Sequence, residues 1–269
     1  MKPYSRNKNK FIILIIIIFI VCLSVIVWFN PITVFSPIKP TTINTTVSKD
    51  GVDNKIATNN TITKQTKPIT LTFDKTKYST TDPSSIWVVV NKQHPLVPIS
   101  YAPIDTATTV GATISGIAVA NFNAMNAAAL AEGVNFTVVS SYRSYDTQNY
   151  IYNNYVATYG QALTDTFSAR PGYSEHQTGF TVDLGSSTGI ECNLDDCFGA
   201  TAEGQWLAIH AYEYGFLLRY PSDKISISGY KSEPWHFRYI GRDLANEMKK
   251  NLITTLEEFF NISGGETYI

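Results

Sequence analysis

The sequence predicts an α+β domain, and three observations carry that expectation. Short strand-like runs and helical stretches follow one another without regular βαβ alternation, which argues against a doubly wound sheet. The strand candidates alternate in the manner of Phe180-Thr181-Val182-Asp183-Leu184, a period of two. The composition also breaks near residue 85, where a polar segment gives way to Ile86-Trp87-Val88-Val89-Val90. From that break to residue 260 the chain offers about 175 residues, a comfortable size for one hydrophobic core.

Taken in order, residues 1–10 carry Lys2, Arg6, Lys8 and Lys10 and no acid. Residues 11–29 are apolar apart from Ser24 and show no polar face. At 1.5 Å per residue this run makes about 28 Å of helix, close to the ~30 Å hydrocarbon core of a bilayer. It exceeds the apolar stretch of a cleaved signal peptide, and it ends in Val27-Trp28-Phe29-Asn30-Pro31 with no small-x-small cleavage site. The expectation is a single-pass anchor in the cell membrane, with the basic flank cytoplasmic and the remainder extracytoplasmic. Residues 30–85 are rich in Thr, Asn, Lys, Ser and Pro and read as a flexible stalk, with at most one local strand over 69–73.

Within the domain, residues 117–132 are Ala-rich with apolar side chains at helical spacing and stop at Gly133. A short strand is expected over 136–139, and a helix over 147–159 that ends at Gly160. A strand follows over 180–184, then a helix over 203–214 stopped by Gly215. A strand over 235–240 and a last helix over 244–260 complete the domain, leaving 261–269 as a tail.

The net charge of −1 and the lack of a basic stripe exclude nucleic acid as a partner. Cys22 lies in the apolar run, so Cys192 and Cys197 are the remaining pair. In an oxidising compartment they can close a small loop as a disulfide; a zinc half-site would need a second cysteine pair, which the chain lacks.

The chain has four histidines, and two stand in unusual company. One segment reads Ser174-Glu175-His176-Gln177-Thr178-Gly179-Phe180-Thr181-Val182-Asp183; the other reads Glu233-Pro234-Trp235-His236. Two His and one Asp meet the ligand count of a catalytic zinc site, which keeps a position open for water. Glu233, three residues before His236, could serve as a general base. Any one of these residues has a bland explanation, a hydrogen-bonded histidine or a surface acid; their joint spacing changes the weighting. In a plain strand Glu233 and His236 would face opposite sides. Pro234 therefore suggests that Glu233 sits in a loop before the strand. His94 and His210 read as structural.

These segments resemble the VanY-type D-alanyl-D-alanine carboxypeptidases, members of the LAS group of zinc metallopeptidases that cut bacterial cell-wall peptides. The pattern S-x-H-x-x-G-x-A-x-D followed by E-x-W-H is met except at Thr181, where the family usually has Ala. The resemblance extends to Val90-Asn91-Lys92, to Ser140-Ser141-Tyr142-Arg143-Ser144 with Gln148, to Ala169-Arg170-Pro171-Gly172-Tyr173-Ser174, to Tyr214-Gly215-Phe216 with Arg219-Tyr220-Pro221, and to Gly229-Tyr230. It covers roughly residues 90–245.

The resemblance implies a single LAS-type domain with a small antiparallel sheet flanked by helices. It implies Zn²⁺ on His176, Asp183 and His236, Glu233 as general base, and Arg143 gripping a substrate carboxylate or carbonyl. Gln148, Ser141 and Ser174 would be further substrate contacts, with Tyr142 and Tyr145 near the pocket. The implied reaction removes the C-terminal D-alanine of peptidoglycan stem peptides. L,D-carboxypeptidase and wall endopeptidase chemistry are the alternatives on the same machinery, and a non-catalytic wall-binding module is the alternative from another class.

Overall fold

The computed structural model describes residues 72–269. The expected membrane anchor, its basic flank, Cys22 and most of the stalk lie outside the described residues. Among the described residues, no helix is long and apolar enough to cross a membrane.

Among the described residues the fold is α+β with two antiparallel sheets. A hairpin of β1 (Thr106–Thr109) and β2 (Ala112–Ser115) turns through Val110 and Gly111, both at positive φ (46° and 81°). Two such residues make the tight turn that suits the twist of paired strands. Helix α1 (Gly116–Ala131) follows and buries Ala118, Phe122, Met125 and Ala129, a single stripe at helical spacing. Strand β3 (Phe136–Ser140) leads to α2 (Tyr145–Tyr159), whose first turn is capped by the Ser144 hydroxyl accepting from Thr147 N–H. A short α3 (Gln161–Thr164) and a 3-10 turn (Glu175–Thr178) precede β4 (Thr181–Ser186). Beyond the disulfide loop come α4 (Ala202–His210), β5 (Phe216–Tyr220), α5 (Ile225–Ser228), β6 (Glu233–Tyr239), α6 (Arg242–Lys250) and α7 (Leu256–Phe260). Cys192 and Cys197 are disulfide-bonded, as the sequence suggests.

The larger sheet runs β3-β4-β6-β5, antiparallel throughout, so β4 and β6 are central. Its register pairs Val182 with Phe237 and Asp183 with His236. Alternation then divides the two faces. Val182, Leu184 and Phe237 join Phe122, Phe136, Phe198, Phe216 and Leu207 in the apolar core. Asp183, His236 and Arg238 belong to the opposite, polar face.

That polar face is buried as well. Arg219 and Arg238 are fully enclosed. Arg219 forms a bidentate pair with Glu257 (2.7 and 2.9 Å) and donates to Glu175 at 2.8 Å; Arg238 donates to the same Glu175 oxygen at 2.9 Å. Arg238 also donates to the carbonyls of Ile86 and Val88. The Ser85–Val90 run thus enters the domain as expected, but it is held by a guanidinium and not by a strand partner.

Several boundaries differ from the sequence reading. Residues 72–85, assigned above to the stalk, pack on the domain: Phe73 lies against Trp87 and Phe259, Tyr78 against Trp87, and Lys75 Nζ donates to the Phe259 carbonyl. No strand forms at residues 72 and 73. The expected last helix is two, because Leu252 takes a left-handed conformation (φ 56°) between them. The 261–269 tail is also docked: the Tyr268 ring lies 4.1 Å from the Arg170 guanidinium, and Ile269 N–H donates to the Lys92 carbonyl.

Phe73→Ala should lower the unfolding free energy by about 1–3 kcal/mol, the range for exposing a packed aromatic side chain. Urea denaturation checks this; no change in midpoint would return residues 72–85 to the stalk.

Candidate metal centre

The site grows from the β4–β6 register. Asp183 and His236 are opposite partners on the polar face, and the 3-10 turn at Glu175–Thr178 lays His176 over them. Gly179, at φ 76°, turns the chain from that 3-10 turn into β4; a Cβ there would meet the Ser115 backbone nitrogen at 3.2 Å. One donor atom from each of His176, Asp183 and His236 lies within 4.8 Å of the others, and all three residues are buried.

The ring nitrogens have distinct roles. His176 Nδ1 donates to the Ser141 carbonyl at 2.7 Å, which leaves Nε2 facing Asp183 Oδ2 at 3.1 Å. His236 presents Nδ1 to Asp183 Oδ1 at 3.2 Å and to Glu233 Oε2 at 3.1 Å. Despite that approach, Asp183 Oδ1 is buried without a hydrogen bond of acceptable geometry. An uncompensated buried carboxylate oxygen is costly, and a cation between it and the two imidazoles would satisfy it. Two nitrogens and one carboxylate oxygen suit a divalent ion with a position left for water. The residues fit a catalytic metal.

Burial pushes the Asp183 carboxyl up, but His176 and His236 outweigh it and hold the group below the usual carboxylate range. Burial drives His176 down against the pull of Asp183, favouring the neutral ring that can offer a lone pair. At His236 burial again opposes charge, but Asp183, Glu175 and Glu233 together raise it well above the ordinary imidazole value. Burial lifts Glu233 against the pull of His236. The convergence of carboxylates makes this a place for positive charge.

Glu233 reaches the cluster by a different route from the one expected. It is the first residue of β6 and pairs with Tyr220, not part of a preceding loop. Between the pairs Leu218–Phe237 and Tyr220–Glu233, β5 has one intervening residue and β6 has three. Pro234, which has no N–H for the ladder, lies in this irregular stretch. The break in alternation lets Glu233 and His236 meet.

A cavity of about 530 Å³ opens over the cluster, lined by Arg143, Gln148, Ser174, His176, Asp183, Tyr220, Glu233 and His236 among others. Arg143 Nη2 lies 3.7 Å from Asp183 Oδ2 and bonds to Ser140 Oγ, while Nη1 donates to Gln148 Oε1 at 2.7 Å. Gln148 is buried and its amide donates to the Ala169 carbonyl, so it braces Arg143 from the cavity wall. Ser174 lines the cavity. Ser141 does not: its hydroxyl accepts from Thr113 N–H and its carbonyl holds His176. Tyr142 and Tyr145 are also outside the lining. His94 bonds to Ser263 and His210 to Glu213, both away from the cluster.

The sequence reading gave no role to Ser140, Glu175, Tyr220 or the two buried arginines. Tyr220 packs on His236 with ring centroids 4.7 Å apart. A detectable signal existed for Arg219 and Arg238, since each interrupts an otherwise apolar or aromatic strand, Phe216-Leu217-Leu218-Arg219-Tyr220 and Trp235-His236-Phe237-Arg238-Tyr239. Thr181, the departure from the family pattern, is buried with its hydroxyl unbonded, two residues before Asp183 on β4.

Known proteins match this architecture. The family model for VanY, D-alanyl-D-alanine carboxypeptidase, matches residues 112–242. YodJ of Bacillus subtilis (strain 168) is 40% identical over 190 residues, covering 66% of this chain and 68% of that protein. The structure of the LD-carboxypeptidase LdcB is similar at TM-score 0.61 and 40% identity, covering 67% of this chain and 88% of that one. A variant of the vancomycin-resistance D,D-pentapeptidase VanY in complex with Zn(II) is similar at TM-score 0.56 and 32% identity, covering 65% of this chain and 98% of that one. With the metal-competent triad, these likenesses lead to one conclusion: the chain belongs to the VanY D-alanyl-D-alanine carboxypeptidase family of metallopeptidases.

Proposed function

We propose that this protein is a zinc-dependent carboxypeptidase that removes the C-terminal D-alanine from peptidoglycan stem peptides. The observation that carries the reading is the buried His176, Asp183 and His236 cluster, with Glu233 against it and Arg143 in the same cavity. His176, Asp183 and His236 would hold the ion. When bound there, zinc supplies a Lewis acid for the scissile carbonyl and a water acidified toward neutral pH.

The chain's own groups do the rest. Glu233 takes a proton from the attacking water and returns it to the leaving amine. Its burial favours that exchange, since a carboxylate in a poorly solvated site is a stronger base than one in water. Arg143 meets the substrate's free carboxylate. Its guanidinium is always charged and can grip such a group through two parallel hydrogen bonds, while Gln148 and Ser140 hold it in place. Ser174 stands at the cavity wall as a further contact.

A D,D-carboxypeptidase acts on the pentapeptide stem and an L,D-carboxypeptidase on the tetrapeptide; both release D-alanine. The family model favours the first. The second is favoured by the 40% identity to LdcB, against 32% to the D,D-pentapeptidase. We further propose that the domain works outside the cell on a membrane anchor formed by residues 11–29, which the Cys192–Cys197 disulfide supports as a mark of an oxidising compartment.

Glu233→Gln should retain zinc at full stoichiometry while D-alanine release falls by about 100- to 10,000-fold, the usual worth of a positioned acid–base group. Unchanged release with zinc bound would remove Glu233 from the mechanism. Mass analysis of pentapeptide, tetrapeptide and amidated pentapeptide digested side by side should show D-alanine lost from the pentapeptide and no cleavage of the amide. Cleavage of the tetrapeptide alone would establish the L,D reading, and rapid cleavage of the amide would remove Arg143 as the carboxylate clamp. Membranes of cells carrying the full chain should retain it through salt and alkaline washes and release it to detergent. Recovery in the salt wash would overturn the anchor.

A further inference from the structure

Glu175 is the residue beside the metal ligand His176; it borders the cavity but has no part in the reaction described above. Its carboxylate is fully enclosed, and one oxygen, Oε1, accepts from both Arg219 and Arg238. The other, Oε2, has no hydrogen-bond partner of acceptable geometry. The same is true of His236 Nε2, the ring nitrogen on the far side from Asp183 and Glu233. These two buried orphans lie 3.5 Å apart.

Each is costly alone and each is what the other needs, since a neutral imidazole that gives Nδ1 to a metal must carry its proton on Nε2. At 3.5 Å the donor and acceptor stand at the outer edge of hydrogen-bond distance. We propose that Glu175 is the positioning residue for His236: it accepts the Nε2 proton, fixes the tautomer, and holds Nδ1 toward Asp183 Oδ1. One 3-10 turn thus supplies both a ligand, His176, and the brace of the opposite ligand.

The brace is itself held from afar. Two guanidiniums fix Oε1, and Arg219 is tied by a bidentate pair to Glu257 on α7, which also accepts from Asn91. A carboxylate so held cannot swing away to solvate itself, and it leaves a single direction for Oε2. Removing an acceptor of this kind typically costs ten- to a hundred-fold in metal affinity.

The inference rests on His236 being a ligand, as proposed above, and the experiment separates the two. Zinc affinity of the full chain and of Glu175→Gln is measured by competition with a chromophoric chelator, with the melting of each metal-free protein as the folding control. The expected result is a folded variant whose zinc affinity is about 10- to 100-fold weaker, together with an altered visible spectrum when cobalt(II) replaces zinc. A folded variant with affinity within twofold of the parent and the same cobalt spectrum would overturn the proposal.

Should the variant not fold, the unaltered zinc-loaded protein decides. Long-range ¹H–¹⁵N spectra of its imidazoles, with four histidines to assign, should show His236 bound through Nδ1 and its Nε2 proton shifted downfield and slow to exchange. Zinc on Nε2, or a freely exchanging Nε2 proton, overturns the role of Glu175 while leaving His236 as a ligand. Failure of the unaltered protein to take up zinc overturns both readings.

Discussion

The pairing of β4 with β6 is the constraint on which the rest depends. It sets Asp183 directly across from His236 and, one residue along, Val182 across from Phe237. The two pairs point to opposite faces, so a single register satisfies an apolar core and a polar centre together. A slip by one residue would set Asp183 across from Phe237 or Val182 across from His236, forcing a charged group into the core or an apolar side chain into the cavity. The cost of that exchange is large on both sides. Packing of Leu184 and Phe237 with Phe122, Phe136 and Phe216 therefore defends the geometry of residues that those side chains never touch.

The polar face shows how a small domain keeps several charges out of water. Arg219, Arg238, Glu175 and Glu257 balance in number, and their hydrogen bonds are short and directional. Such enclosed pairs contribute less to stability than apolar packing would, but removing one member leaves the others stranded. Their value here is in position. They tie the 3-10 turn, β5, β6 and the C-terminal helix into one rigid frame behind the cavity. Arg238 extends the frame to residues 86 and 88 by occupying carbonyls that a strand would otherwise pair.

Much of this was legible in the sequence where the signal is local. Gly133, Gly160 and Gly215 each end a helical stretch at positive φ (77°, 78° and 82°), which is the backbone role that composition suggests for them. The spacing of His176, Asp183 and His236 foretold a cluster because the pattern as a whole has few structural explanations. The failures are non-local or carry no residue marker. Arg219 meets partners 44 and 38 residues away, and Arg238 meets Glu175 at a separation of 63. The break after α6 falls at Leu252, where a branched aliphatic residue takes the left-handed conformation that glycine would have announced. Residues 72–85 looked too polar to fold alone, and they do not: Phe73 and Tyr78 borrow the Trp87 surface of the domain.

The irregular stretch between Tyr220–Glu233 and Leu218–Phe237 has a consequence for how such a protein can change. Asp183 and His236 are fixed by the regular β4–β6 ladder and His176 by the 3-10 turn before β4, while Glu233 arrives through the extra residues on β6. The two parts are mechanically separable. Loss or gain of one residue around Pro234 would rotate the carboxylate away and leave His176, Asp183 and His236 where they are. Evolution could in this way separate hydrolysis from metal and peptide binding in one indel, with no substitution at His176, Asp183 or His236.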